Sequence, residues 1–488
     1  MYIFNATMQA NLSDSRSSKC IMKITLKLAL LACSIISTAC AVGPKYNSPT
    51  TQTAPEWYAA LPHNGKTTDL VNWWQSFSDS SLTRLQQAAE LNNPSIAQAV
   101  ARIDAARAAS GATNGNMLPT INGSASQTRN NGDDGSDIAR RSRLGMIDAS
   151  WEIDLWGGLR AGRRASDAQL AARTMEWHAA RTSIAAEVAQ TYVAYRACQA
   201  QSAALQSDVV SREETARLTD LLVHAGFNAP AESYLTDASA ATGRQQQVAM
   251  AAECDLSIKS LVALTGLSES ETRDILAKNA GIQPRAPEFT LAALPVDIIS
   301  QRPDVAAAER TLAAASAQIN VTQAARLPRL ALLGNISFFG IQLSGGAPQA
   351  SGKSWSFGPS LSLPIFDAGQ RAAQADIAKA GYAEALANYK QVVVSAVKEV
   401  ESTLITLDAA QKRLRDAHTA KDKFDKYFNA SLARQRVGSV SLLELEDARR
   451  NKLSAEQNLI NLKREYTTSW IALYKAVGGA WLTQTQQS

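Results

Sequence analysis

Four histidines stand alone in this sequence, His63, His178, His224 and His418. None has the His-x-x-x-His or Cys-x-x-Cys spacing by which one helix or turn presents two ligands to a metal ion. The sequence has no P-loop or dinucleotide-type glycine run, so no nucleotide site is expected. Glu152 and Asp154 are the one carboxylate pair whose spacing suggests acid–base work, because residues i and i+2 of a strand share a face. They are better read as charges set in water on the lumen side of a strand, close to where it meets a helix. The chain is therefore expected not to be an enzyme, and to hold no metal.

Cysteine placement is more informative. Met22 to Lys27 reads as the charged start of a secretion signal and Leu28 to Ile36 as its apolar core, with residues 1–21 an extension ahead of the true start. The signal ends at Ser37-Thr38-Ala39, directly before Cys40. That ending resembles the lipobox of bacterial lipoproteins, with Ser37 where Leu is usual. The resemblance implies a covalent lipid on Cys40 as the only attached group, and Ala41 in place of Asp implies sorting to the outer membrane. The other reading of the same segment is plain secretion. Cys198 lies 28 residues before Gly226 and Cys254 lies 28 residues after it. If the chain turns back at Gly226 as a helical hairpin, the two thiols stand at nearly one height. Two separately buried thiols are the ordinary outcome for such positions. A disulfide is the alternative, permitted by an oxidising compartment and by Cα atoms closer than ~7 Å.

Removing residues 1–39 deletes Arg16, Lys19, Lys23, Lys27 and Asp14, which leaves a net charge of 45 − 43 = +2. So small a charge gives no nucleic-acid footprint. After the signal no run of about 20 apolar residues remains, so any crossing of a membrane falls to strands.

The elements that must position these residues come in two copies. Pro94 and Pro303 are 209 residues apart, as are Pro119 and Pro328. Gly158 matches Gly369, Arg160 matches Arg371, Gly226 matches Gly438, and Gly266 matches Gly478. Residues 40–64 form a Pro-rich tether, 65–280 the first repeat, 281–295 a linker, 296–480 the second repeat and 481–488 a tail. Helical patterning runs from Ser81 toward Met117. Each repeat then has two segments of period two, expected as strands at about 120–128 and 143–155, and at about 330–339 and 353–366. Apolar residues such as Ile336 and Trp355 alternate there with small polar ones, the pattern of a transmembrane β-barrel strand. Residues 160–224 and 371–436 contain no Pro, and as helices each would reach ~100 Å. Val393, Val397, Val400, Leu404, Leu407 and Leu414 keep a heptad-like spacing, repeated 209 residues earlier from Ile184 to Leu205. Such a repeat implies coiled packing against neighbours.

Four strands cannot close a barrel, and open edges are intolerable in hydrocarbon. Several copies must therefore combine, two as a floor and more for a wide pore. The fold expected is all-α with a small transmembrane β part, built from duplicated helix–hairpin–helix halves.

Cys40 to Pro44, the Trp73-Trp74-Gln75-Ser76-Phe77-Ser78-Asp79 run and the run from Leu363 to Arg371 resemble the TolC-type outer-membrane factors, closest to the NodT-type efflux lipoproteins. The resemblance covers essentially the whole mature chain. It implies a homotrimer with a twelve-stranded barrel continuous with a long periplasmic α-helical barrel. It also implies a periplasmic adaptor and an inner-membrane pump as partners, and expulsion of drugs or other small molecules across the outer membrane. In that family the helix following the second turn narrows the periplasmic end. Carried onto this sequence, those positions are Leu443, Glu444, Asp447 and Arg450, spaced so that they can share one helix face. The other reading of this segment is a solvated helix start in which Glu suits the macrodipole. An outer-membrane duct for protein secretion, or a lipid-anchored periplasmic coiled coil, are the alternative functions.

Overall fold

The computed structural model describes residues 43–49, 57–58, 73–131, 139–289, 295–343 and 350–479. Cys40, His63 and the 481–488 tail lie outside the described residues. After a 3-10 turn at Gln75–Phe77 come α1 (Ser80–Asn92), α2 (Pro94–Gly115), β1 (Thr120–Asn131), β2 (Ala139–Ile153), α3 (Gly158–His224), α4 (Pro230–Thr265) and α5 (Glu269–Ala277). The second half gives α6 (Pro295–Ser300), α7 (Pro303–Ala324), β3 (Arg329–Leu343), β4 (Ala350–Ser362), α8 (Gln370–Arg436) and α9 (Leu442–Ala476). The helical run expected from Ser81 to Met117 is broken once. Pro94 disfavours helix at the residue before it, and Asn93 is extended, with ψ 123°.

The chain divides into two compact units, one of them Met1–Ser48, Ala106–Leu170 and Thr311–Leu386. It holds a four-stranded antiparallel sheet in the order β1-β2-β3-β4. The strands differ from expectation at their ends. β1 and β2 extend to Asn131 and back to Ala139, because Arg129, Arg140 and Arg141 pair through the backbone whatever their charge. β2 stops at Ile153 and β4 at Ser362, short of the expected 155 and 366. Pro328, with no N–H to give, precedes β3 at Arg329, and Arg329 is already opposite Ser362, so residues 363–366 have nothing to pair with.

Asp154 then takes another task. Its carboxylate accepts from the backbone N–H of Leu159 (3.2 Å) and Arg160 (3.0 Å) and pairs with the Arg160 side chain at 3.0 Å. Asp367 does the same in the second copy, accepting from Gly369 (3.0 Å) and Arg371 (3.2 Å). A carboxylate at a helix N-terminus satisfies orphan N–H groups and meets the positive end of the dipole. Gly158 is required by packing, since a Cβ there would stand 2.9 Å from the Ala324 Cβ. Trp156 donates its indole N–H to the Pro328 carbonyl at 2.7 Å, tying the two copies together.

The other unit is Pro49–Ala105, Ala171–Arg310 and Ala387–Ser488. Its hub is the Trp73–Asp79 run. Trp73 stacks on Tyr474 at 4.7 Å, meets Phe77 and Phe289 edge-on, and donates to the Pro287 carbonyl at 2.9 Å. Asp79 caps α1 through the N–H groups of Ser81 and Leu82. It also accepts from the Tyr192 hydroxyl at 2.7 Å. Burial first, and that bond second, raise the Tyr192 pKa to about 12. Arg196, fully buried beside Tyr192, donates to the carbonyls of Leu276 (2.9 Å) and Lys278, and so secures the end of α5. Residues 281–289, expected as a linker, are pinned by side chains of α9: Thr467 donates to the Pro284 carbonyl at 3.1 Å and Tyr466 to Glu288 at 2.9 Å.

The heptad seam is buried in both copies, with Val188, Tyr195, Cys198 and Leu205 in α3 and Val393, Val400, Leu404 and Leu407 in α8. Cys198 and Cys254 do not occupy separate core sites. Their sulfurs lie 1.96 Å apart with Cα atoms at 5.6 Å, joining α3 to α4 across 56 residues of sequence.

Candidate functional site: the helix turns and the polar face of the sheet

Each long helix of the second unit reverses at a glycine with positive φ, Gly226 (80°) and Gly438 (73°), a conformation that side chains resist. Carbonyl oxygens of the last turn receive the chain as it leaves. That of Leu222 accepts from Phe227 at 2.9 Å, and that of Arg434 accepts from Ser439 at 2.9 Å. The two returns then differ. Pro230 starts α4 behind Ala229, which gives no side-chain cap, whereas Ser441 caps α9 by accepting from the Glu444 N–H at 3.2 Å. Glu444 sits in the first turn, where the dipole favours it, and faces Arg434 at 3.5 Å.

Leu443 is exposed, and Asp447 and Arg450 form an ion pair whose side chains are both about half exposed. These three, at i, i+4 and i+7, occupy one open face of α9. Leu445 and Ala448 face the packed side. Between them lie two charges that sequence reasoning missed. Glu446 and Arg449 are buried as an ion pair, and Arg449 reaches the Thr215 hydroxyl of α3 at 3.2 Å. In a second buried pair, Asp208–Arg212 at 2.6 Å, Arg212 also donates to the Ser239 hydroxyl of α4 at 2.9 Å. Only Arg212 lies on the heptad seam continued from Leu205, so residue order alone did not mark the other three.

In the sheet unit, Asn122, Asp148, Asn335 and Ser356 stand opposite one another across all four strands. Asn122 donates to Asp148 at 3.1 Å and Asn335 to Ser356 at 2.9 Å, and Ser337 bonds Ser354 at 2.8 Å in a neighbouring row. Glu152 shares this polar face with Asp148. The opposite face carries Ile147, Ile336 and Trp355 in one row, all exposed. One face therefore suits water and the other hydrocarbon.

Among the described residues no group of His, Cys, Asp and Glu could hold a metal. His178 is held below its ordinary pKa by burial first and the Arg181 charge second. A cavity of about 340 Å³ next to it is lined by Trp74, Gln86, Glu90, Arg181 and Tyr474.

The sequence model described as "Outer membrane efflux protein" matches residues 85–267 and 294–479, two stretches that begin 209 residues apart. The chain belongs to that family. The outer membrane protein OprJ of Pseudomonas aeruginosa is 28% identical over 91% of this chain and 93% of its own length. The solvent efflux pump outer membrane protein SrpC of Pseudomonas putida is 28% identical over 91% of this chain and 96% of its length. The solved outer-membrane channel OprN superposes with a TM-score of 0.79 at 27% identity, covering 91% of this chain and all of that one. This member of the efflux family is a TolC-type outer-membrane factor of the NodT type, and it is an outer-membrane exit channel for efflux. The family is one of channels.

The buried Glu446–Arg449 pair should be worth more to packing than the exposed Asp447–Arg450 pair. Arg449→Ala leaves Glu446 buried without its partner, at a cost of about 3–5 kcal/mol. Amide exchange in α9 should accelerate accordingly, while Arg450→Ala, an exposed change worth under ~1 kcal/mol, leaves it nearly unaltered.

Proposed function

We propose that three copies of this chain close one barrel of twelve strands, that the helix turns form its periplasmic gate, and that an adaptor and an inner-membrane pump open that gate to pass small molecules outward. The observation that carries this reading is the sheet itself. β1 and β4 are both edges, and four strands with one apolar and one polar face cannot stand alone in hydrocarbon, where each unpaired backbone group costs several kcal/mol. Pairing β4 of one copy with β1 of the next removes every edge once the ring closes. The likeness to SrpC, a solvent efflux pump outer membrane protein, supports a cargo of small organic molecules.

The gate consists of Leu443, Glu444, Asp447 and Arg450. Three copies of Asp447 near one axis would repel, and Arg450, already paired with each, offsets that repulsion. Leu443, exposed in the single copy, supplies an apolar constriction. In the mature protein Cys40 carries lipid, and the Cys198–Cys254 bond holds α3 against α4.

The detergent-solubilised protein should have the mass of a trimer by light scattering; a stable monomer with intact strand content would sink the closure. The double variant Leu443→Ala, Asp447→Ser should raise single-channel conductance in planar bilayers severalfold and weaken cation preference, and unchanged behaviour would refute the gate. Mass spectrometry of the non-reduced digest should find an acylated peptide starting at Cys40 and a linked Cys198–Cys254 peptide. Cys198→Ser should then lower stability by roughly 2–4 kcal/mol for a loop of this length.

A further inference from the structure

The membrane-facing side of the sheet changes character toward the hairpin ends. From the row Ile153–Leu330–Leu361 to the row Gly123–Ile147–Ile336–Trp355 it carries apolar side chains or glycine, a span of six residues. At 3.4 Å per residue that is about 20 Å along the strands, most of the ~25 Å apolar band of an outer-membrane barrel. The rows beyond are cationic. Lys353 stands opposite Phe338, Arg143 lies one row further between Gln127 and Gly340, and Arg129 lies directly opposite Arg141 in the row after that. Strand alternation fixes their side: Arg141 and Arg143 share the face of Ile147, and Lys353 shares that of Trp355.

These four cations have no carboxylate neighbour on their own face. Every strand residue on that side is apolar, glycine or uncharged polar apart from the four, and the sheet's acidic residues, Asp148 and Glu152, are on the other face. Among the described residues none of the four forms an ion pair; Arg143 donates to the uncharged Gln127 at 3.1 Å. Asp133, Asp134 and Asp137 belong to the connecting segment outside the described residues. Like charges directly opposite on adjacent strands are destabilising. An Arg129–Arg141 row at a membrane boundary therefore calls for an anion. The four long side chains can lay their stems along the apolar band and lift their charges to the headgroup level.

The strand ends that carry this belt are those away from the helices, and in an outer-membrane channel with periplasmic helices they reach the outer leaflet. We propose that Arg129, Arg141, Arg143 and Lys353 form a binding surface for the phosphate groups of lipid A, the phosphorylated glycolipid of that leaflet. The proposal rests on the outer-membrane assignment and not on the gate. Each cation near an anionic membrane surface is worth about fivefold in affinity, or about 1 kcal/mol, so removing four should weaken binding by more than tenfold even with partial screening.

The test uses the full-length, detergent-solubilised protein with diphosphoryl lipid A, the same lipid stripped of its phosphates, and inorganic phosphate alone. Native mass spectrometry should show bound diphosphoryl lipid A, with more than tenfold weaker binding of the stripped lipid and no thermal shift from inorganic phosphate. The variant Arg129→Gln, Arg141→Gln, Arg143→Gln, Lys353→Gln should lose the same factor while its conductance in planar bilayers stays as in the parent, which separates this proposal from the channel reading. Equal binding of the two lipids by the unmodified protein would overturn it without recourse to any variant. Equal binding of diphosphoryl lipid A by the variant would overturn it too. So would loss of binding in Asp133→Asn, Asp134→Asn, Asp137→Asn, because the anion would then be held through the aspartates by a bridging cation.

Discussion

A backbone N–H or C=O without a partner costs several kcal/mol in hydrocarbon, and that single constraint organises this molecule. It forces the membrane-crossing part into strands, demands that the strands alternate between lipid and water, and leaves β1 and β4 as edges that one copy cannot satisfy. The same pressure acts at each end of the sheet. Pro328, with no N–H to give, marks where pairing stops. Asp154 and Asp367 take up the N–H groups that the starts of α3 and α8 would otherwise leave open. Backbone accounting, more than side-chain hydrophobicity, sets where strand gives way to helix.

The duplication supplies two versions of each element, and their differences are as informative as their likeness. Both copies turn at a positive-φ glycine and bury a heptad seam. Only the first carries the fully buried Arg196, where the second has the exposed Ile405, and only the first bonds its two helices through cysteine, where Leu407 fills the position matching Cys198. The first copy is thus secured by directional bonds and a covalent link. The second offers α9 with a capped start, one open face bearing Leu443, Asp447 and Arg450, and one packed face bearing Glu446 and Arg449. One half is thus stapled covalently, and the other is held by packing and ion pairs alone.

Much of this was legible beforehand. The 209-residue offset, the two hairpins and the two long Pro-free helices follow from periodicity, because strand and helix impose repeats of two and about 3.6 on any sequence that must bury one face. The turns at Gly226 and Gly438 follow from the one residue that adopts positive φ without strain. What periodicity could not reach was pairing. Whether Arg140 and Arg141 belong to a strand is decided by what lies opposite them. Asp154, expected with Glu152 as a charge set in water, proved to be a helix cap, since its partners, the N–H groups of Leu159 and Arg160, are offered only once the chain has turned.

By itself, then, the sequence determined the repeat, the kinds of element and the sidedness of the strands, all properties of residue order and local stereochemistry. Tertiary structure decided which charges are buried, as for Glu446 and Arg449 against Asp447 and Arg450 three or four residues away. It also decided that Cys198 and Cys254 meet. A helix turns ~100° per residue, so one residue of uncertainty in a turn is enough to move a side chain from core to water, and only the packed helices remove that uncertainty.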